Sequence, residues 1–293
     1  MQLTTRQLTK RYKNKLALDH VTMNLESGIH GILGPNGSGK TTLLRMLVDT
    51  LEPSEGAVYF DDVPIKKLQE NYRDKLGYLP QQFGYYPEFT AYRFLLYIAS
   101  CKGLCKQDGK TAALRWLKEM RLLDVKDKKI KTFSGGMKQR LGIAQAMLND
   151  PDILILDEPT AGLDVQERIR FKKILNDLAK DRILIISTHI VSDIESIADS
   201  ILVIKEGKLL YQSLPDECLE QIQSKVWEFD CPEDELDTSG YIPHSLKTNG
   251  RTIHVRCISE QKPYPTAVCV EPNLEDFYLY VFQENGHEDS IEI

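Results

Sequence analysis

The chain has no uninterrupted apolar run of about 18 residues, so no segment is expected to span a bilayer. Its opening, MQLTTRQLTKRY, has no apolar stretch behind the charges. No secretory leader is expected, and the chain is expected to stay in the cytoplasm. Cysteine is scarce, six in 293 residues, with no CxxC pair and no Cys/His group at metal spacing. That excludes a zinc module or a disulfide scaffold. Cys101 and Cys105 are spaced for one helix face, and all six cysteines are expected to be free thiols. A basic surplus is also missing. Lys and Arg number 37 against 43 Asp and Glu, a net charge of -6, so nucleic acid is not expected as a partner. No internal repeat or low-complexity block occurs. The remaining composition, 42% apolar and 27% charged, is that of a globular protein with a sizeable core. Its length suits one large domain plus a small appendage.

Periodicity divides the chain. Residues 3–26 read as strands, with Leu16, Leu18, Val21, Met23 and Leu25 partly alternating. A short strand, 30–33, runs into Gly34, and helical spacing follows over 41–50. Residues 57–60 alternate as a strand before an Asp61-Asp62 turn. Residues 94–126 have helical periodicity, with Leu95, Leu96, Ile98 and Ala99 on one face. Leu114, Trp116, Leu117, Met120 and Leu122 form another. A helix over 141–148 stops at Asp150-Pro151. The apolar runs 153–156 and 183–186 read as strands buried on both faces, with a helix bearing Ile169, Ile174, Leu175 and Leu178 between them. This alternation predicts an α/β domain with a mostly parallel sheet. Residues 200–211 read as a hairpin turning at Glu206-Gly207. Beyond Pro215 a short helix through Leu219 and Ile222, strands at 226–229, 252–258 and 267–270, and a helix over 273–282 predict a small α+β appendage. A polar, frayed tail is expected after Gln283.

Gly34, Pro35, Asn36, Gly37, Ser38, Gly39, Lys40 and Thr41, followed by Thr42, match G-x-x-x-x-G-K-[ST] between a strand and a helix. The glycines let several backbone N–H groups converge on one anion, and the helix start adds its positive end. Lys40 is placed for the β and γ phosphates, and the Thr41 hydroxyl for Mg²⁺. A plain glycine turn would not need this context. The 153–156 strand delivers Asp157, a candidate Mg²⁺ ligand, and Glu158, a candidate base for water beside the γ phosphate. Adjacent acids past a strand also end ordinary turns; the upstream loop favours the functional reading. Ser134, Gly135 and Gly136 open a helix, with Ser134 as N-cap, and make a second anion-type helix start. One phosphate chain needs only one such cradle. His189 follows the 183–186 strand and emerges at the same sheet edge as Asp157, where an imidazole could bond the γ phosphate.

Over about the first 215 residues the sequence resembles the ATP-binding subunits of ABC transporters. By that resemblance residues 34–42 are the Walker A loop, Asp157 and Glu158 the Walker B acids, and residues 134–137 the signature. Residues 161–164, ending in Asp164, look like the D-loop, and His189 like the switch histidine. Tyr12 stands where that family stacks an aromatic on adenine. Gln81 looks like the Q-loop glutamine that ligands Mg²⁺, with Gln82 as an adjacent rival. The usual signature ends in Gln, and this one ends in Met137.

The resemblance implies a P-loop ABC ATPase domain over residues 1–217: a mostly parallel core sheet, an antiparallel β subdomain and a helical subdomain at about 88–150. A small C-terminal α+β domain, 218–293, follows. It implies ATP and Mg²⁺ as cofactors, with Glu158, His189 and Lys40 catalytic. It also implies a second ATPase subunit, identical or not, whose Ser134, Gly135, Gly136 and Asp164 complete the site. Separate integral membrane subunits are expected, with the chain peripheral on the cytoplasmic face. The aromatic segment 83–89 would suit docking to them. The run 138–146 and the segment 272–277 resemble bacterial ABC-2 type drug, antibiotic or polysaccharide exporter ATPases. The rival is a soluble ABC ATPase without a transport role. Translation types usually carry two cassettes, repair types insert coiled coils, and here Lys40 and Ser134 lie only 94 positions apart. A guanine-reading N-K-x-D segment is absent.

Overall fold

The structure, a computed structural model, describes residues 1–13 and 15–283. The expected tail after Gln283 lies outside these. In chain order the elements begin with strands β1 (Leu3–Tyr12), β2 (Lys15–Leu25) and β3 (Gly28–Leu33), then helix α1 (Lys40–Leu47). β4 (Glu55–Phe60), β5 (Val63–Pro64), α2 (Ile65–Leu68), α3 (Glu70–Arg73) and β6 (Leu76–Leu79) follow. Next come α4 (Ala91–Cys101), α5 (Lys106–Glu119), α6 (Gly135–Ala146), β7 (Ile153–Asp157) and α7 (Val165–Ala179). β8 (Ile183–Thr188), β9 (Ser200–Lys205) and β10 (Lys208–Ser213) close the first unit. Two compact units result, Met1–Gln212 and one beginning at Ser213.

In the first unit a six-stranded sheet has the order β10-β9-β3-β8-β7-β6. The pairings β6–β7, β7–β8, β8–β3 and β3–β9 are parallel. The carboxyl ends of β3, β6, β7 and β8 therefore share one edge. A second sheet, β2-β1-β4-β5, is antiparallel. Alternate residues of the central strands, Ile153 and Ile155, Ile183 and Ile185, Leu202 and Ile204, join Leu43, Leu44 and Leu47 of α1 in the main core. That core extends to Leu3, Leu8 and Leu18 of the antiparallel sheet. The intervening Leu154, Leu156, Leu184 and Ile186 are buried too. This is why these strands read as unbroken apolar runs rather than as alternation. The β9–β10 turn has left-handed φ at Glu206 (50°) and Gly207 (80°), as a two-residue type I′ hairpin requires.

The helical periodicity over 94–126 is two helices and a 3₁₀ turn, Leu123–Val125, rather than one element. Thr90 caps α4, accepting the Arg93 N–H at 3.2 Å. Cys101 and Cys105 do not share a helix face. Cys101 ends α4, and Cys105 begins α5, where its sulfur accepts the Asp108 N–H. All six cysteines are free. Leu114 and Ile169 stand exposed; Ala113 and Phe171 fill the buried positions instead. In each case a one- or two-residue shift of the apolar stripe decides which side chain the core receives.

The second unit contains α8 (Pro215–Glu220), strands β11 (Val226–Pro232), β12 (Ile242–Asn249), β13 (Thr252–Ile258) and β14 (Val268–Cys269), and α9 (Leu274–Gln283). The division after Gln212, rather than after residue 217, follows because α8 packs with α9. The helix expected to reach Ile222 ends at Glu220. Its antiparallel sheet runs β12-β13-β11-β14. β12 had no clear sequence signal: its pattern is mostly half-buried or exposed, and an irregularity between Pro243 and Ser245 breaks its period. Phe229, Cys231, Ile253, Val255 and Cys257 form the core of one face. Toward α9, the fully buried Asp276 accepts from Arg256 at 2.6 Å and meets His244 Nδ1 at 2.5 Å.

Candidate functional site

The loop after β3 is shaped by close contacts that leave no room for side chains. A Cβ on Gly34 would lie 2.3 Å from the Ile204 carbonyl oxygen and 2.6 Å from Ser38 Oγ. Gly39, at φ 113°, caps α1 with Ala17 O 2.7 Å from its would-be Cβ. The Gly207 N–H donates to Ser38 O at 2.9 Å, so the hairpin turn buttresses the loop. Within it, Lys40 is almost buried, and its Nζ donates to Gly34 O at 2.7 Å and Pro35 O at 3.1 Å. Burial lowers the Lys40 pKa, and the nearby Glu158 and Asp157 charges oppose that shift. Ser38 Oγ is buried with no partner, an orphan that a phosphate oxygen would satisfy.

β7 and β8 pair with Asp157 opposite Ser187. Asp157 is 1% exposed. The Ser187 hydroxyl donates to its Oδ1, and the Thr41 hydroxyl to its Oδ2 at 3.2 Å. Burial and the Asp157 charge push Tyr78, on the neighbouring β6, up to about 12. Glu158 takes a left-handed φ of 51°, a region non-glycine residues seldom enter. Its N–H donates to Ser187 O at 3.0 Å, which holds the kink. Its carboxylate Oε2 lies 2.7 Å from His189 Nδ1.

A pocket of about 270 Å³ opens at this edge. Asn36, Gly37, Gly39, Lys40, Thr41 and Thr42 line one side, and Gln81 and Glu158 another. Tyr12 lines it as well, 43% exposed, with Lys10 Nζ 5.3 Å from its ring centre. Gln81 reaches the pocket; Gln82 is not among the lining residues. Gly34, Pro35 and Ser38 form the loop behind it, and Asp157 and His189 stand one hydrogen bond away from Thr41 and Glu158. Sequence reasoning missed Lys15 and Ala17 on β2, which also line it. It missed Ser187 as well, whose partner Asp157 lies 30 positions earlier. Thr41 and Gln81 line the pocket and Asp157 bonds Thr41, so a hydroxyl, an amide and a carboxylate are available. Such hard oxygen ligands fit Mg²⁺ completed by phosphates.

Ser134, Gly135, Gly136 and Asp164 do not line this pocket. Ser134 caps α6, accepting the Met137 N–H at 3.2 Å. Asp164 caps α7, accepting the Glu167 N–H at 2.8 Å. Ser134, Gly135 and Asp164 are exposed. Gly136 abuts Glu167, whose Oε2 lies 2.6 Å from where a Cβ would be. A ring cluster sits on the helical region. Tyr86 packs on Phe89 at 4.8 Å and edge-on to Tyr97 at 5.5 Å, and both tyrosines stay exposed. Among the described residues no helix is long and apolar enough to cross a membrane.

Known proteins resemble the chain in sequence and fold. The family model described as "ABC transporter" matches residues 18–161. The Nod factor export ATP-binding protein I of Burkholderia orbicola (strain AU 1054) is 32% identical over 94% of both chains. The bacitracin transport ATP-binding protein BcrA of Bacillus licheniformis is 38% identical, covering 78% of this chain and 74% of that one. Among solved structures, the dimeric post-hydrolysis ATP-binding cassette MJ0796, bound to ADP and Pi, superimposes with TM-score 0.65 at 28% identity. That match covers 72% of this chain and 98% of that one. By these matches the chain belongs to the ABC transporter family as one of its ATP-binding ATPase subunits.

Proposed function

We propose that this ATPase powers a membrane exporter, and that two subunits close head to tail over two ATP molecules. The observation that carries the reading is a separation within one chain. Lys40, Thr41, Gln81 and Glu158 line the pocket, whereas Ser134, Gly135 and Asp164 lie exposed outside it. One chain thus supplies both halves of a composite site, and each half is completed by a second subunit, identical or not. Closure is then a ligand-driven shift between open and closed pairs.

In this reading Tyr12 stacks on adenine, and residues 34–42 cradle the phosphates with Lys40 as the cation. Thr41, Asp157 and Gln81 hold Mg²⁺, which neutralises phosphate charge when bound. Glu158 takes a proton from the attacking water. His189, bonded to Glu158 at 2.7 Å, orients that carboxylate and faces the γ phosphate. The partner's copies of Ser134, Gly135, Gly136 and Asp164 complete the site. Residues 83–89, with the exposed Tyr86 and Tyr97, offer separate integral membrane subunits an aromatic docking surface. That arrangement holds the chain on the cytoplasmic face of the membrane. Export, rather than import, is supported by relatives named for Nod factor export and bacitracin transport. Nucleic acid has no place in this reading.

The test is Glu158→Gln. The variant loses about 10²-fold or more of its phosphate release. It also accumulates as an ATP-bound dimer in size-exclusion chromatography. Normal turnover would remove Glu158 as the base, and a strictly monomeric ATP-bound variant would remove the sandwich.

A further inference from the structure

The buried carboxylate of Asp193 lies outside the pocket, with a role the site residues do not explain. Asp193 is 3% exposed and ends the turn Val191–Asp193, four residues past His189. Its Oδ2 accepts from Thr160 Oγ1 at 2.5 Å, and its Oδ1 lies 3.6 Å from the Arg168 guanidinium. Thr160 is itself 3% exposed and stands two residues past Glu158. Arg168, on α7, also donates from Nε to Leu163 O at 3.2 Å. Lys172, one helical turn further on, donates to the Ser192 carbonyl and to Ser196 Oγ at 3.4 Å.

A single carboxylate therefore ties three turns together: the one that leaves β7 with Glu158, the one that leaves β8 with His189, and residues 161–164 with Asp164. The Arg168 side chain is 30% exposed, so its ion pair with Asp193 adds little to stability. The buried Thr160–Asp193 hydrogen bond matters more for geometry, because it demands one arrangement. The β7–β8 ladder fixes Asp157 against Ser187 but ends there. Beyond it, the Glu158 N–H bond to Ser187 O and the Thr160–Asp193 bond span the two departing chains on either side of the Glu158–His189 contact.

We infer that Asp193 is a positioning residue for hydrolysis, acting through Thr160 and Arg168 to hold Glu158 and His189 at bonding distance. The inference rests on the reading of Glu158 and His189 as the hydrolytic pair. It adds a part to that reading which touches neither nucleotide nor water.

The test uses the full chain with Thr160→Val and Asp193→Asn, alone and combined, and Glu158→Gln as control. Two readouts are taken: kcat beside equilibrium ATP affinity, and the ring ¹⁵N signals of His189, assigned by its loss in His189→Gln. Thr160→Val removes one hydroxyl at nearly constant shape, so it decides the matter should Asp193→Asn fold poorly. The expected result is a kcat loss of about ten- to a hundredfold with ATP affinity kept. The His189 ring signals shift, and the double variant is no slower than the slower single one. A lowered melting temperature with unmoved His189 signals and normal kcat would overturn the inference and leave Asp193 a structural brace. Should Glu158→Gln hydrolyse normally, the parent reading falls, while the His189 signals still decide whether Asp193 positions that ring.

Discussion

Lys40 places its ammonium where water hardly reaches and bonds it to two carbonyls of its own loop. Nucleotide binding exchanges those neutral acceptors for phosphate oxygens, and charge-assisted bonds of that kind contribute about 1.5–3 kcal/mol. Lys40→Ala is expected to weaken ATP binding by about one to two orders of magnitude, read by equilibrium titration with a fluorescent ATP analogue. An unchanged affinity would place the phosphates elsewhere. Lys40 was legible because its motif is contiguous: nine residues, 34–42, carry the loop and the helix start together. Ser187, Thr160 and Asp193 were not. Their meaning lies in partners 30 or more positions away, Asp157 for Ser187 and Asp193 for Thr160, and no local pattern encodes such pairs.

Elements differ in how much of themselves they advertise. The buried strands β7 and β8 were plain, since burial on both faces demands continuous apolar residues. β12 was invisible, since half-exposed residues and an irregular register leave no period to read. The helical region shows a device that periodicity cannot report. Lys102, at the end of α4, turns its ammonium inward, donating to Ala146 O at 3.2 Å at the end of α6 and to Asn149 Oδ1 at 2.5 Å just past it. Burial pushes its pKa down to about 8, against a small opposing pull from Asp74. An unfolded Lys holds its proton to about 10.4. Between pH 8 and that value the unfolded chain therefore binds more protons than the folded one, and stability from this group rises with pH. Below pH 8 the burial cost is present in full. Lys102→Met is expected to remove this slope and to raise stability near pH 7 by about 1–2 kcal/mol, after discounting for partial solvent access. Denaturant titrations of both proteins at pH 7 and pH 9.5 check it. Equal differences at the two pH values would refute the assignment.

At the scale of the molecule the two units obey separate logics. The first has its own core, from Leu3 to Ile204, and carries every pocket-lining residue of the phosphate site. The second has a core of its own around Phe229 and Val255 and a charged cluster on Asp276. Chains carrying Lys40→Ala and chains carrying Ser134→Arg are each inactive alone. Mixed, they recover part of the ATPase rate, because one site of the mixed pair joins an intact Lys40 to an intact Ser134. Phosphate-release assays over a range of mixing ratios check this, and a flat response would exclude sharing. The contact between Gly207 and Ser38 also bears on synthesis. The ribosome delivers the phosphate loop early, but β3, which carries it, sits between β8 and β9, and the loop leans on a turn some 170 positions downstream. A nascent chain halted before residue 207 owns the full motif and lacks the walls that shape it. Nucleotide recognition is thus a late event in synthesis, and the loop stays an unsupported segment through most of elongation.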